Sequence, residues 1–334
     1  MSAAVTLSPG AELFVAPGPF ALEHDRELPE LALAYESSGP EDEPAGAEAS
    51  GDATSSRCAP VVVVQGGISS NAHVASTPRD PTPGWWEPIV GPGRAIDPRR
   101  VRVLALDFVG RREDAVVSSG DQARATAALL DQLGIERLHA FVGASYGGMV
   151  ALKFAELFPS RVERIVAISA PDRPRVFATA WRALQRQVLA LGERHGAAGE
   201  AVVLARAMGM LSYRSAAEFE ERFAPGSPVE CPVEDYLLAR GRDFAARFEA
   251  GALARLSRAI DLHRCDVGRI RARTTLVAAD PDLLVPAEQL ARLAPRFGRP
   301  ARFVRIASRF GHDAFLKEVE PITRVVADAL EDRS

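Results

Sequence analysis

The sequence predicts an α/β protein: a mostly parallel, doubly wound sheet with a helical block inserted late in the chain. Three observations lead there. Continuous apolar, often β-branched runs recur, as in VVVV (61–64), VRVLALD (101–107) and LHAFVG (138–143), the pattern of strands buried on both faces of a parallel sheet. Helical patterns fall between such runs, so strand and helix alternate. From about residue 173 the rhythm changes, and residues 176–262 hold helical stretches with no convincing buried strand.

Each element has a local cause. LALAYES (31–37) alternates and reads as an early strand. Residues 39–59, rich in Gly, Ala, Ser and acids, bury too little apolar surface to order themselves and read as a flexible loop. Residues 121–133 form a helical pattern that stops at Gly134. GGMVALKFAELFP reads as a helix closed by Pro159, and VERIVAIS (162–169) as the next strand. VFATAWRALQRQVLALG and AVVLARAMGML are helical, the sheet resumes at RTTLVAA (273–279) and ARFVRIA (301–307), and VEPITRVVADALED is the last helix. The expected division is a core of residues 1–172 and 267–334, with 173–266 as a helical lid over the C-terminal edge of the sheet.

Composition excludes several classes. With 334 residues and 47% hydrophobic content the chain can bury one large core. A net charge of −4 and scattered arginines give no case for a nucleic-acid partner. Cys58, Cys231 and Cys265 lie far apart without metal-type spacing, so a reduced cytoplasmic protein with no metal is expected. No basic start followed by an apolar run opens the chain, and no apolar stretch reaches the roughly 18 residues of a membrane span. A soluble protein with no membrane partner is expected.

Gly143-Ala144-Ser145-Tyr146-Gly147 stands between a predicted strand and a predicted helix. A tight bend that merely needs small residues would look similar, but GxSxG in this context presents its serine as a nucleophile. The glycines admit close backbone, and the Tyr146 amide at the helix start would face a developing oxyanion. A serine hydroxyl needs a base. Of six histidines, His312 in SRFGHDAF follows the last strand and is the candidate; His24, His139, His195 and His263 read as ordinary residues of loops or polar surfaces. His73 reads as a loop residue that could line the pocket. AADPDLLVP offers Asp280 and Asp282 as the acid that orients the base, and Asp282, four residues before Pro286, is preferred. The order Ser, Asp, His is that of the α/β-hydrolase fold. Gly67, in QGGIS after the first buried strand, is the candidate for the second oxyanion amide.

Longer segments carry a resemblance. GWWEPIVGPGRAID (84–97), DQARATAALLDQLGI (121–135), GASYGGMVALKFAELFPSRVERIVAIS (143–169), LARAMGMLSYRS (204–215), residues 233–262 and GHDAFL (311–316) are similar to the homoserine O-acyltransferases, α/β-hydrolase-fold enzymes of methionine biosynthesis. The likeness runs from about 60 to 318; Ala144 and Tyr146 depart from the family's usual GGSMGGM but leave the elbow glycines intact.

The resemblance implies a ping-pong reaction with no bound cofactor: acyl-CoA loads Ser145, then the hydroxyl of L-homoserine takes the acyl group with His312 as base. It implies that Arg206 holds the substrate carboxylate and Asp313 its ammonium, as suits a planar guanidinium and a zwitterion. It also implies a homodimer through the lid helices. The donor is expected to be succinyl-CoA rather than acetyl-CoA. DFVGRREDA places Arg111 and Arg112 where acetyl-using relatives have an uncharged loop, although both could instead face solvent and pair with Glu113 and Asp114. GGISSNAH, with Ile68, Ser69, Ser70 and Asn71, resembles the succinyl-using branch. A buried second carboxylate needs a cation. Serine as acceptor, a plain esterase and a catalytically silent binding protein are the rival expectations.

Overall fold

The computed structural model describes residues 7–24, 27–40, 59–110, 114–223 and 232–331. Its strands are β1 (Glu12–Ala16), β2 (Phe20–Ala21), β3 (Glu27–Leu28), β4 (Leu31–Ser38), β5 (Val61–Gln65), β6 (Arg102–Leu106), β7 (Leu138–Ala144), β8 (Val162–Ile168), β9 (Arg273–Asp280) and β10 (Arg302–Ala307). Apart from the β2–β3 pair they form one sheet of order β1-β4-β6-β5-β7-β8-β9-β10. Strands β6, β5, β7, β8, β9 and β10 run parallel; β4 pairs antiparallel with β6, and β1 antiparallel with β4.

Period-2 alternation explains why VVVV is apolar throughout. Val61 and Val63 enter one core, while Val62 and Val64 enter a second core on the other face. Helices α1 (Ser119–Gln132) and α2 (Tyr146–Leu157) contribute to the first core. The last helix and residues 86–96 contribute to the second. Helix α1 begins at Ser119 because Ser118 and Asp121 form a capping box, and Gly134 follows the helix end at φ +70°. Strand β4 faces the first core with alternate residues, as its pattern predicts. Strand β1 was not legible: of its five residues only Phe14 is buried.

Between β8 and β9 the described residues form five α-helices, a 3₁₀ turn (Val267–Arg269) and no strand; the α-helices are α3 (Val176–Arg194), α4 (Ala198–Tyr213), α5 (Ala216–Arg222), α6 (Pro232–Ala245) and α7 (Ala250–Leu262). The chain then closes with α8 (Ala287–Leu293), α9 (Ala314–Lys317) and α10 (Val319–Glu331). Most of the expected flexible loop, residues 41–58, lies outside the described residues, as do Cys58 and Cys231. Cys265 is a buried free thiol. Among the described residues no helix is long and apolar enough to cross a membrane.

Two histidines differ from the sequence expectation. His24 and His195 are exposed, but His139 lies half-buried on β7 with Nε2 3.1 Å from the Leu330 carbonyl oxygen. His263 is fully buried where the helical insertion rejoins the core. Its Nε2 donates to the Pro171 carbonyl at 3.2 Å, so Nδ1 accepts from the Ser119 hydroxyl at 2.7 Å. The Cys265 amide donates to the Asp172 carbonyl at 3.0 Å, so the two ends of the insertion are joined side by side. Burial, helped by the Lys153 charge, pushes the His263 imidazole down to about 3.

The unfolded chain therefore binds a proton that the folded chain refuses between the ordinary histidine value and about 3. Stability is fully present above that ordinary value and falls as the pH drops below it, by up to about 5 kcal/mol from this residue. In His263→Gln the slope of unfolding free energy between about pH 6.5 and 4.5 is expected to be shallower by roughly 1.4 kcal/mol per pH unit. Denaturant titrations at several pH values measure it; equal slopes would remove this role for His263.

Candidate active site

Strand β7 runs into α2 through Ser145, whose backbone takes φ +53° and ψ −119°. This is a conformation that costs a non-glycine residue on the order of 1–3 kcal/mol. Two bonds hold it: the Ser145 amide donates to the Ile168 carbonyl at 2.8 Å, and the Gly147 amide to the Gly66 carbonyl at 2.9 Å. The flanking glycines are steric requirements. A Cβ on Gly143 would lie 2.4 Å from the Gly147 carbonyl oxygen, and one on Gly147 would lie 2.2 Å from that of Gln65. Tyr146 occupies the first position of α2, where an amide has no partner within the helix. Its ring is fully buried in the first core, 5.1 Å from that of Phe108, so this departure from the family pattern affects packing rather than the elbow.

His312 sits on a short 3₁₀ turn (Gly311–Asp313) after β10. Its Nε2 is 2.8 Å from Ser145 Oγ, and its Nδ1 is 2.7 Å from Asp282 Oδ2. The other Asp282 oxygen accepts the amides of Leu284 at 2.8 Å and Val285 at 2.9 Å. Asp280 instead pairs with Arg305 at the surface. The ring of Tyr213 stacks beside His312 at 6.0 Å. Burial pushes the imidazole down, but the charge and hydrogen bond of Asp282, aided by Asp313, outweigh it and the net shift is upward. The arrangement can take a proton from Ser145 and hold the resulting imidazolium beside a carboxylate.

Ser145 opens into a space of about 520 Å³ walled by core residues and by the helical insertion. Its α3 wall carries Ala178, Trp181, Arg182 and Gln185, one helix face by spacing. Arg182 was missed in the sequence; a charged residue among the apolar positions of that face was the available signal. Asp261 accepts from Arg182 Nε at 2.8 Å and from Thr179 at 3.0 Å, and its second oxygen lies 2.8 Å from Arg186. Two guanidiniums on one carboxylate leave this wall positively charged.

The structure places the other expected residues unevenly. Gly67 lies against Ser145, its missing Cβ 3.7 Å from that of the serine. Ile68, Ser69, Ser70 and Asn71 follow in the same loop but do not line the cavity. Arg206 lines a second cavity, which shares Arg182, Gln185 and Tyr213 with the first. Its guanidinium has no carboxylate partner among the described residues and rests over the rings of Phe244 (4.8 Å) and Tyr213 (5.4 Å). Asp313 is already engaged: Oδ2 accepts from Arg214 Nε at 2.7 Å, and Arg214 also reaches Glu218 at 3.1 Å. Arg111 and Arg112 lie outside the described residues, with Glu113; Asp114 stands 3.6 Å from Arg255. His73 does not line the cavity but is buried against Glu36.

A nucleophile elbow on a parallel sheet, with its imidazole and carboxylate delivered by later strands, defines the class, and residues 60–319 match the family described as alpha/beta hydrolase fold. The chain is 46% identical over 279 residues to a homoserine O-succinyltransferase from Xanthomonas campestris pv. campestris, covering 81% of this chain and 76% of that one. It is 32% identical to a serine O-succinyltransferase from Litchfieldella anticariensis, covering 98% of this chain and all of that one. The crystal structure of a homoserine O-acetyltransferase from Bacillus anthracis superposes with a TM-score of 0.83 at 20% identity, over 96% of this chain and 97% of that one. The chain belongs to the homoserine O-acyltransferase family of the α/β-hydrolase fold.

Proposed function

We propose that the protein moves a succinyl group from succinyl-CoA to the side-chain hydroxyl of L-homoserine, a step of methionine biosynthesis. The observation that carries this reading is Ser145 opening, under the inserted helices, into a cavity whose wall presents Arg182. In the first half-reaction Ser145 Oγ attacks the thioester carbonyl carbon while His312 Nε2 takes its proton. The amides of Tyr146 and Gly67 hold the oxyanion, the C–S bond breaks, and the thiolate leaves with the proton from His312. In the second, His312 takes the proton of the acceptor hydroxyl, which attacks the acyl-enzyme; the ester bond to Ser145 breaks and its oxygen recovers that proton. The free carboxylate of a succinyl group finds its cation in Arg182, and Arg206, without a carboxylate partner among the described residues, suits the acceptor carboxylate. Asp313 keeps its second oxygen for the ammonium.

The test is a matrix of succinyl-CoA and acetyl-CoA against homoserine and serine, followed by thiol release. Succinyl-CoA with homoserine is expected to be fastest. Arg182→Met is expected to raise KM for succinyl-CoA by about ten- to a hundredfold, about 1.5–3 kcal/mol of a charge-assisted contact, and to spare acetyl transfer. An unchanged donor preference would remove Arg182 from this role. Fast transfer to serine would support the second reading, a serine O-succinyltransferase, which the full-length relative of that name favours. The two acceptors differ by one methylene, worth only about 1–3 kcal/mol.

A homodimer through the insertion goes with this reading. Phe177, Leu184 and Leu191 on α3, and Leu204 and Leu211 on α4, are exposed at seven-residue spacing, an apolar stripe suited to a second copy. A cytoplasmic location goes with the CoA donor and the free thiol of Cys265.

A further inference from the structure

Away from Ser145, Glu36 on β4, His73 in the loop after β5 and Asp80 beyond it form a buried ionisable group. Both ring nitrogens of His73 face acceptors. Nε2 is 2.7 Å from the Thr82 carbonyl oxygen and 3.3 Å from the Thr82 hydroxyl, whose single proton is directed to Asp80 at 2.7 Å. Nδ1 is 3.0 and 3.2 Å from the two Glu36 oxygens and 3.7 Å from Asp80. The carboxylates are themselves fixed: Ser8 donates to Glu36 at 2.7 Å, and the Thr82 amide and hydroxyl donate to Asp80 at 3.1 and 2.7 Å. A neutral imidazole has one N–H and would leave one of its nitrogens as an acceptor facing an acceptor.

We infer that His73 is a doubly protonated, buried imidazolium whose charge pins the loop carrying Gly67 to β4, making it a positioning residue for the oxyanion site. The loop is braced between these points. The His73 amide donates to Asn71 Oδ1 at 3.1 Å, Trp85 Nε1 to the Asn71 carbonyl at 3.1 Å, and the Ser70 amide to the Gly67 carbonyl at 2.9 Å. Gly67 in turn lies against Ser145. Loss of a proton leaves one ring nitrogen an acceptor facing an acceptor and removes the positive charge between two buried carboxylates, so the brace loosens. The charged groups acting on the ring are Glu36 from β4 and Asp80 and Glu87 from the following loop, all acidic. Burial pushes the ring down, but the Thr82 carbonyl and the two nearest acids carry the net shift upward. Its stabilising contribution is thus fully present below the ordinary histidine value and lost as the pH rises through the folded one.

The protonation state is independent of the proposed function, whereas the positioning role rests on it through Gly67. The test is nitrogen NMR of the intact protein labelled at histidine, titrated alongside the rate of acyl-enzyme formation from succinyl-CoA. Expected are a His73 ring protonated on both nitrogens at about pH 7, and an alkaline fall in acylation that tracks its titration. In Glu36→Gln, which keeps an acceptor and removes a charge, both are expected to move to lower pH by about one unit or more. A merely structural role would lower the rate equally at every pH. A neutral ring at about pH 7, or a titration unmoved by Glu36→Gln, overturns the charge assignment. So does stoichiometric zinc in the purified protein that His73→Ala loses, because the ion would occupy the place given to the Nδ1 proton. A charged ring whose titration leaves acylation unchanged overturns the positioning role. Absence of any acyl-enzyme in the unaltered protein would instead count against the proposed function.

Discussion

Ser145→Ala is expected to lose acyl transfer by about 10⁴–10⁶-fold while remaining folded. Among the described residues the oxygen removed makes one side-chain bond, to His312, and alanine keeps the Cβ that already occupies the positive-φ position. The backbone bonds from Ser145 to Ile168 and from Gly147 to Gly66 do not involve the hydroxyl, so the elbow keeps its shape. Thiol release from succinyl-CoA, measured beside an unchanged circular dichroism spectrum and Tm, checks both halves of this expectation. Activity within tenfold of the unaltered protein would mean that the nucleophile lies elsewhere.

Asp282→Asn is expected to cost about 10⁴-fold at neutral pH, although the new side chain has the same shape. The Leu284 and Val285 amides both donate to one oxygen of Asp282 and would hold the asparagine oxygen at that position. The asparagine NH₂ must then face His312 Nδ1, which accepts, so the ring proton moves to Nε2. An imidazole protonated there cannot take the proton of Ser145. The pH profile separates this from a simple loss of structure. His312 must be neutral to act as base, and Asp282 raises its pKa against the opposing effect of burial. In the unaltered protein acylation should rise with pH through that raised value. In the variant burial prevails, and the small residual activity should persist to lower pH. An unshifted acid limb would show that Asp282 does not control the ring.

The residues that local pattern could locate were those whose neighbours in sequence are also their neighbours in space. VVVV is apolar at every position because both sheet faces are covered, and Ser145 announces itself because the elbow's steric demands fall on the adjacent glycines. Asp282 could be preferred to Asp280 from its distance to Pro286. The structure separates the two by partner, His312 for one and Arg305 for the other. What stayed hidden depends on contacts between distant segments. His263 meets Ser119 across 144 positions, and His73 meets Glu36 across 37, so neither burial has a local signature. Arg182 looks like any helix arginine until Asp261 and Ser145 are seen beside it. Strand β1, with one buried residue, shows no alternation to read.

Intact-protein mass spectrometry after rapid mixing with succinyl-CoA, without an acceptor, tests the covalent step most directly. The expected result is a gain of one succinyl group, placed by fragmentation on Ser145, absent from Ser145→Ala and discharged when L-homoserine is added. Transfer to homoserine at full rate with no such adduct, or an adduct on another side chain, would contradict it.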